Sequence, residues 1–509
     1  MSNPARPVAV IVLAAGEGTR MKSSPEFTVP KVLRGFAGRS MLGHVLSAAA
    51  PLQARQTIVV VGHLREVVTQ HLKEIAAGAE VVIQEQQNGT GHAVRIALAA
   101  VAERDDAGSG LIVVLPGDAP LLEPGTLLAL CAAHESSGAA VTMLTSELDD
   151  PSGYGRVVRG PDGAVRAVVE HKDASPNELA LNEIAAGVYV FDHAFLRGAV
   201  GRLSTGNAQG EEYLPDVVTI AVAAGALVHA VVVDAAETAG VNDRVQLAQA
   251  HRVYNTRLLT RHMQAGVTVI DPATTWVDAD VRLQPDATLL PGVQLHGATS
   301  IDSGAVIGPD CTLTDTTVGP RSRLERVVAK QSSVGADVTI GPYAYLRPGT
   351  VLGDEVHIGT YVELKASEVG TGSKIPHLSY IGDATIGVHT NIGAATVFVN
   401  YDGVHKHRSV IGDHARTGAD NMFVAPVEVG DGAYTAAGSI ITEDVPPGAL
   451  AIARARQRNL PDWVANNRAG TAADAAAKRK GVDSAAVPAK STHEASPAST
   501  TDEDGTPAP

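Results

Sequence analysis

The sequence predicts an α/β domain of parallel strands, a connecting helix and a parallel β-helix, in that order, within 509 residues. Three observations carry this reading. Short β-rich runs alternate with helix-compatible segments up to about residue 245, one helical pattern covers 246–265, and an aliphatic-Gly pair recurs with a six-residue register from about 267 to 445. At roughly 100–200 residues per domain the length suggests about three domains, each able to bury a core.

The first domain rests on the runs Val8–Leu13, Thr57–Val61, Val81–Gln84 and Leu111–Leu115. Parallel strands joined by crossover helices are the economical reading of that alternation. QLAQAHRVYNTRLLTRHMQA (246–265) spaces apolar side chains at helical intervals with charges between them, which predicts the connecting helix. The repeat then runs through Ile307-Gly308, Val318-Gly319, Ile340-Gly341, Ile358-Gly359, Ile381-Gly382, Ile392-Gly393, Ile411-Gly412 and Val429-Gly430. Short strands stacked into coils, with the aliphatic side chain inside and Gly near the corner, produce this register. A Gly-rich β-sandwich is the alternative, and it does not hold a hexad register this long. Beyond about Asn466 aromatics vanish and Ala, Lys, Ser, Thr and Pro dominate, which predicts a disordered tail. The expected divisions are therefore 1–245, 246–266, 267–465 and 466–509.

Composition excludes several classes. Forty basic against 55 acidic side chains give a net charge of −15, which argues against nucleic acid or an anionic membrane as partner. Hydrophobic residues at 45% exclude global disorder. No apolar run reaches the roughly 18–20 residues of a membrane span, and the apolar start ends in a Gly-rich loop rather than a cleavage context. Two cysteines, Cys131 and Cys311, cannot build a disulfide framework or a four-thiolate zinc site. A cytosolic chain is expected.

Chemistry gathers first at Leu13-Ala14-Ala15-Gly16-Glu17-Gly18-Thr19-Arg20-Met21, directly after the first strand. Small residues let backbone N–H groups approach a phosphate chain, and Arg20 adds a charged donor. Lys31 in PKVL is a second cation for the same phosphates. In QEQQNGTGH (84–92), amide side chains offer a paired donor and acceptor to a nucleobase, and Gly89 lets the base lie close. Pro116-Gly117-Asp118 ends a strand where open α/β sheets bind ligands, and Asp118 is placed to hold Mg²⁺ against phosphate oxygens. On the repeat, Arg347 and Lys365 fall at exposed corners and suit a sugar phosphate. His377 is a candidate general base, since neutral histidine is the usual proton acceptor near pH 7. His405, His407 and His414 read as surface.

The ordered set LAAGEGTRM, PKVL, QNGTGHA, GDAPLL, GYGR, VEHKDAS, NAQGEEY and GVNDRVQL resembles the bacterial bifunctional N-acetylglucosamine-1-phosphate uridyltransferase/glucosamine-1-phosphate acetyltransferases, from residue 8 to about 465. DPATTWVD and VFVNYDG resemble the actinobacterial members. The resemblance implies a Rossmann-like nucleotidyltransferase domain joined to a left-handed β-helix that forms a homotrimer, making UDP-N-acetylglucosamine for the cell envelope. It implies UTP and sugar-nucleotide binding by Leu13, Ala14, Ala15, Gly16, Lys31, Gln84, Gly89, Thr90 and Gly117, with sugar contacts from Gly155, Glu170 and the position of Ala185. Asp118 and Asn242 are implied as Mg²⁺ ligands, with Asn242 also touching the nucleotide sugar. In the second domain it implies Arg347, Lys365, Tyr380 and Asn391 for the acceptor sugar phosphate. Ala394, Asn400, Tyr401, Ala419, Ala437 and Arg454 are implied for acetyl-CoA, and His377 as base.

Four departures stand out. The stretch KSSPEFTVP makes the loop before Lys31 about four residues longer than the family's. Ala185 stands where the family has Asn, Asp243 follows Asn242 where the family has a second Asn, and Ala419 stands where it has Ser. A lost ligand hydrogen bond of the first kind costs about 1 kcal/mol. Two other readings stay open at this point: a sugar-1-phosphate nucleotidyltransferase whose β-helix only regulates, and a non-catalytic scaffold of the same build.

Overall fold

A computed structural model of the chain describes residues 6–24, 26, 29–101 and 110–481. Its contacts form two units, Met1–Ala453 and Arg454–Pro509. The first unit begins β1 (Ala9–Ala14), β2 (Gly35–Phe36), β3 (Arg39–Ser40), α1 (Met41–Ala49), β4 (Gln56–Val61), α2 (Arg65–Ile75), β5 (Glu80–Ile83), α3 (Thr90–Ala100), β6 (Leu111–Pro116) and α4 (Pro124–Ser137). It continues β7 (Val141–Glu147), β8 (Arg156–Arg159), β9 (Val165–Val169), α5 (Pro176–Leu179), β10 (Glu183–Asp192), α6 (His193–Val200), α7 (Asp216–Ala223), β11 (Val228–Val232), α8 (Ala235–Thr238) and α9 (Arg244–Gln264).

β1 lies inside a sheet of order β11-β7-β10-β6-β1-β4-β5, paired in parallel with β4 and β6. Its run AVIVLA is buried on both faces, as helices packed on both sides of a parallel sheet require. All four runs expected to be strands are strands. The four are mutually parallel, as expected; beyond them β10 runs antiparallel to β6, β7 and β8, and β8 to β9. For the β8–β9 pair the cause is local. Gly160-Pro161-Asp162-Gly163 closes β8 onto β9 through Gly160 N–H to Ala164 O (2.8 Å) with Gly163 at φ +77°, a turn too short to hold a crossover helix.

From Thr268 onward every strand is two to four residues long and pairs in parallel with a strand of a neighbouring coil. The strands form three sheets, and Leu289, Ile307, Leu324, Ile340, Ile358 and Ile375 stack one above another inside. This is the expected parallel β-helix, with one continuous aliphatic core.

Helix α9 joins the two parts. Asp243 caps it by accepting from Val245 and Gln246 N–H (both 2.9 Å). Midway, Asn255 bridges to the first coil, donating to Thr275 O (2.8 Å) and accepting from Val277 N–H (3.1 Å). The β2–β3 hairpin also sits on that coil: Ala279 N–H donates to Ala37 O (2.9 Å), and Arg39 pairs with Asp280 at 2.5 Å. Phe36 stacks on His44 at 4.5 Å and packs against His251 and Tyr254, sealing the junction.

In the second unit, Trp463–Asn467 and Ala472–Gly481 are helical, the latter within the stretch whose composition predicts disorder. An Ala-rich segment with Asp474 and Lys478 spaced i,i+4 is a local helix former in its own right. Residues 482–509 of the expected tail lie outside the described residues.

Candidate active sites

The first site sits at the C-terminal ends of β1 and β6. Parallel pairing of β1 with β6 brings Gly117 N–H onto Leu13 O (2.9 Å), and Gln87 Nε2 donates to Ala15 O (2.7 Å). These bonds fix the Leu13–Gly16 loop from two sides. Among the described residues, its own chain neighbours aside, none comes within 4 Å of where a Cβ would stand on Gly16, so that backbone has room for a ligand. Past the loop, Lys31 forms an ion pair with Asp118 and donates to Asn242 Oδ1 (3.2 Å), while Arg20 Nη2 donates to the same Asn242 oxygen (2.7 Å). Four residues expected from the sequence thus form one cluster. The long loop before Lys31 does not displace it; residues 25, 27 and 28 of that loop lie outside the described residues.

Asp118 and Asn242 supply one carboxylate and one amide oxygen, both within reach of a single ammonium. That donor set fits Mg²⁺, which takes few protein oxygens and completes its shell with water and phosphate. Among the described residues no group of three or more His, Cys, Asp or Glu side chains gathers into a denser metal site. Asp243 is occupied as the α9 cap, which either Asn or Asp performs.

Gln84 is buried, and its amide nitrogen faces Gly89 O (3.0 Å) and His92 Nδ1 (3.1 Å), so it also braces the loop. Gly89 has φ +101°, and a Cβ there would stand 2.5 Å from Glu212 O, so only glycine fits. Thr90 Oγ1 accepts from Leu214 N–H (3.1 Å). Gly155, Ala185 and Glu170 come together: Ala185 N–H donates to Gly155 O (3.0 Å), and a Cβ on Gly155 would stand 3.6 Å from Glu170 Oε1. Burial, then the neighbouring carboxylates Asp216, Asp173 and Glu211, push the Glu170 carboxyl above its usual range. Tyr154, whose neighbour Gly155 drew attention in the sequence, was the residue that reading passed over. Its phenol sits in the fields of Asp118 and Arg20 with the Gly240 backbone as hydrogen-bond partner.

On the β-helix, the register Leu346↔Leu364 sets Arg347 beside Lys365 at one corner. Each meets an acid of the following coil, Arg347 with Glu363 and Lys365 with Asp383 (both 2.9 Å). Asn400 Nδ2 donates to Asp383 (2.5 Å). A Cβ on Gly382 would stand 2.5 Å from Tyr380 Oη and 2.7 Å from Asn400 Nδ2, so the bare glycine lets both side chains converge. Asp383 is the organiser here, a carboxylate following a repeat glycine that the motifs did not single out. His377 closes the strand preceding Tyr380–Gly382; its carbonyl accepts from Ser379 Oγ (2.7 Å) and Ala395 N–H (3.1 Å), leaving the imidazole exposed. Ala394, Ala419 and Ala437 stack at one corner through Asp420 N–H to Ala394 O (2.7 Å) and Gly438 N–H to Ala419 O (2.9 Å). Asn391 lies apart, on the face shared with Lys374 and Arg416. Tyr401 is exposed, its hydroxyl turned back to Gly403 O (2.6 Å). Arg454 opens the second unit and is exposed.

A phosphate-loop α/β domain with a cation–carboxylate cluster, joined to a coil of hexapeptide repeats, defines a two-domain transferase. Residues 10–183 match the MobA-like NTP transferase domain, and residues 331–366 match the bacterial transferase hexapeptide (six repeats). The chain is 57% identical over 475 residues to the bifunctional protein GlmU of Streptomyces coelicolor, covering 93% of this chain and 97% of that one. The bifunctional protein GlmU of Thermobifida fusca is 55% identical at the same coverage, and that of Nocardia farcinica 54%, covering 92% and 95%. The chain belongs to the GlmU family of bifunctional proteins.

Proposed function

We propose that the chain makes UDP-N-acetylglucosamine by two successive transfers. On the β-helix, acetyl passes from acetyl-CoA to the amine of glucosamine 1-phosphate. In the first domain, the acetylated sugar phosphate attacks the α-phosphate of UTP in line and expels pyrophosphate. The observation that carries the reading is the cluster of Arg20, Lys31, Asp118 and Asn242 at the mouth of β1 and β6.

In the uridylyl step no protein nucleophile is needed; positioning and charge neutralisation suffice. Arg20 and Lys31 supply positive charge to the phosphates, and the fixed Leu13–Gly16 backbone orients them. Mg²⁺, held by Asp118 and Asn242, supplies neutralisation of phosphate charge when bound. Gly155, Glu170 and Ala185 line the sugar's place. In the acetyl step Arg347 and Lys365 take the sugar phosphate, exchanging their carboxylate partners for it. His377 accepts the proton that the attacking amine sheds, and the Ala394–Ala419–Ala437 corner is flat enough for the cofactor. Asn391 stands on the face shared with Lys374 and Arg416 and not with the Lys365 cluster of its own chain, and the exposed stacked pair Tyr343–Tyr361 (5.3 Å) offers an apolar wall. Both features support a homotrimer in which copies complete each other's acetyl site. Among the described residues no helix is long and apolar enough to cross a membrane, which supports a cytoplasmic enzyme.

The test is one incubation of purified protein with glucosamine 1-phosphate, acetyl-CoA, UTP and Mg²⁺, read by mass spectrometry. UDP-N-acetylglucosamine is the expected product. Accumulation of N-acetylglucosamine 1-phosphate alone refutes the uridylyl half, and the absence of both products, even when the acetylated intermediate is supplied, refutes the whole reading.

A further inference from the structure

Strand β8 carries a charge where a strand should have none. Arg156 is 2% exposed, yet its Nε has no hydrogen-bond partner. The hydrogen bond its side chain makes runs from Nη1 to the carbonyl of Tyr154, at 2.5 Å. Among the described residues no carboxylate stands within ion-pair distance of it; the exposed Asp150 meets its charge only through space. A buried guanidinium without a carboxylate is costly to keep, and an apolar side chain of similar length would fill the space at less expense. Departures of this kind from ordinary core composition mark functional positions.

The register shows what Arg156 stands behind. Arg156 faces Ile184 across the β8–β10 ladder, and Ile184 faces Ser146 of β7, so these side chains share one face of the sheet. Ile184 and Ser146 are fully buried on that face. The preceding residue, Gly155, belongs to the other face, with Ala185 and Glu170. The chain turns at Gly153 (φ +87°), so Tyr154 and Gly155 form the rim between the sugar-side face and the cluster around Asp118.

We propose that Arg156 is a positioning residue for uridylyl transfer. Gripping the Tyr154 carbonyl from behind the sheet, it sets the Tyr154–Gly155 rim at the height the sugar phosphate needs, without touching substrate itself. The inference rests on the uridyltransferase reading above and adds a residue to it. A planar guanidinium offers several fixed donors around one carbonyl, whereas an ammonium on a flexible stem does not hold the same plane.

Arg156→Lys and Arg156→Met in the full-length chain test this, each assayed for both transfers. Acetyl transfer by the same polypeptide records that the β-helix is intact, and UTP binding by calorimetry records that the first domain is folded. The expected result is a rise of tenfold or more in KM for N-acetylglucosamine 1-phosphate, with KM for UTP within twofold of wild type and acetyl transfer unchanged. Arg156→Lys should fall between wild type and Arg156→Met. Uridylyl transfer within twofold of wild type in Arg156→Met overturns the proposal. So does loss of UTP binding by calorimetry in both variants, since that marks a purely structural role. If wild type itself shows no uridylyl transfer, the underlying reading fails instead, and the two failures are thereby told apart.

Discussion

Lys31 and Asp118, 87 residues apart in the chain, meet in one ion pair, and Asn242 joins them from 211 residues beyond Lys31. Three separate turns of the α/β domain converge there, each at the C-terminal edge of the sheet or the start of α9. Such convergence concentrates charge where phosphates are to be handled, and it is where substitution should be felt most.

Lys31→Met should lower kcat/KM for uridylyl transfer by about 10²-fold or more, the scale of losing one charged donor to a developing charge. Pyrophosphate release measures it, and acetyl transfer by the same protein should not move.

His377→Ala should reverse that pattern. General-base loss predicts a fall of about 10²–10⁴-fold in acetyl transfer. Free thiol released from acetyl-CoA reports it, with uridylyl transfer from supplied N-acetylglucosamine 1-phosphate unchanged.

Ala185→Asn should tighten the sugar. One added hydrogen bond, worth about 1 kcal/mol, corresponds to roughly a fivefold drop in KM for N-acetylglucosamine 1-phosphate. An unchanged KM would show that Ala185 N–H, already bonded to Gly155 O, marks a position the sugar does not reach.

The junction should be acid-sensitive. Burial holds the His44 imidazole down to about 4, against a smaller opposing pull from its bond to Phe36 O. Above about pH 6.5 it is neutral folded and unfolded alike and contributes no pH dependence. Between about 6.5 and about 4 the unfolded chain takes up a proton that the folded chain refuses, so stability falls with pH by up to about 1.4 kcal/mol per unit. His44→Phe should flatten the melting temperature across that window relative to wild type.

In the β-helix, Phe398 and Phe423 pack at 5.1 Å inside successive coils, both fully buried. Phe398→Ala should cost about 3–5 kcal/mol in stability. Thermal melting checks it, with the loss confined to the β-helix transition if the two domains melt separately.

Much of this was legible beforehand because periodicity is a strong signal. A hexad register extending over well over a hundred residues has one economical packing, and a phosphate loop after a buried strand has one usual place. The antiparallel β8–β9 pair was not legible, since its direction depends on the short Gly160–Gly163 turn and not on the apolar pattern. The brace that Gln84 makes was not legible, because an amide's partners are set by tertiary contacts with Gly89 and His92 that no spacing reveals. Arg156 went unremarked because nothing in a sequence says that an arginine on a short strand is buried.

The seating of the β2–β3 hairpin on the first coil bears on modularity. The composition places a border at residue 245, and a protease or an engineer would cut there or after α9. A cut at either place strips Arg39 of Asp280 and Ala37 O of its donor, and removes Trp276, which lies 4.7 Å from His251. The hairpin begins two residues after the helical turn Lys31–Leu33, so the loosened end lies beside the uridylyl machinery itself. A first half that keeps these contacts therefore ends past Gly297, whose N–H donates to Asp278 (2.9 Å), and borrows a full turn of its neighbour.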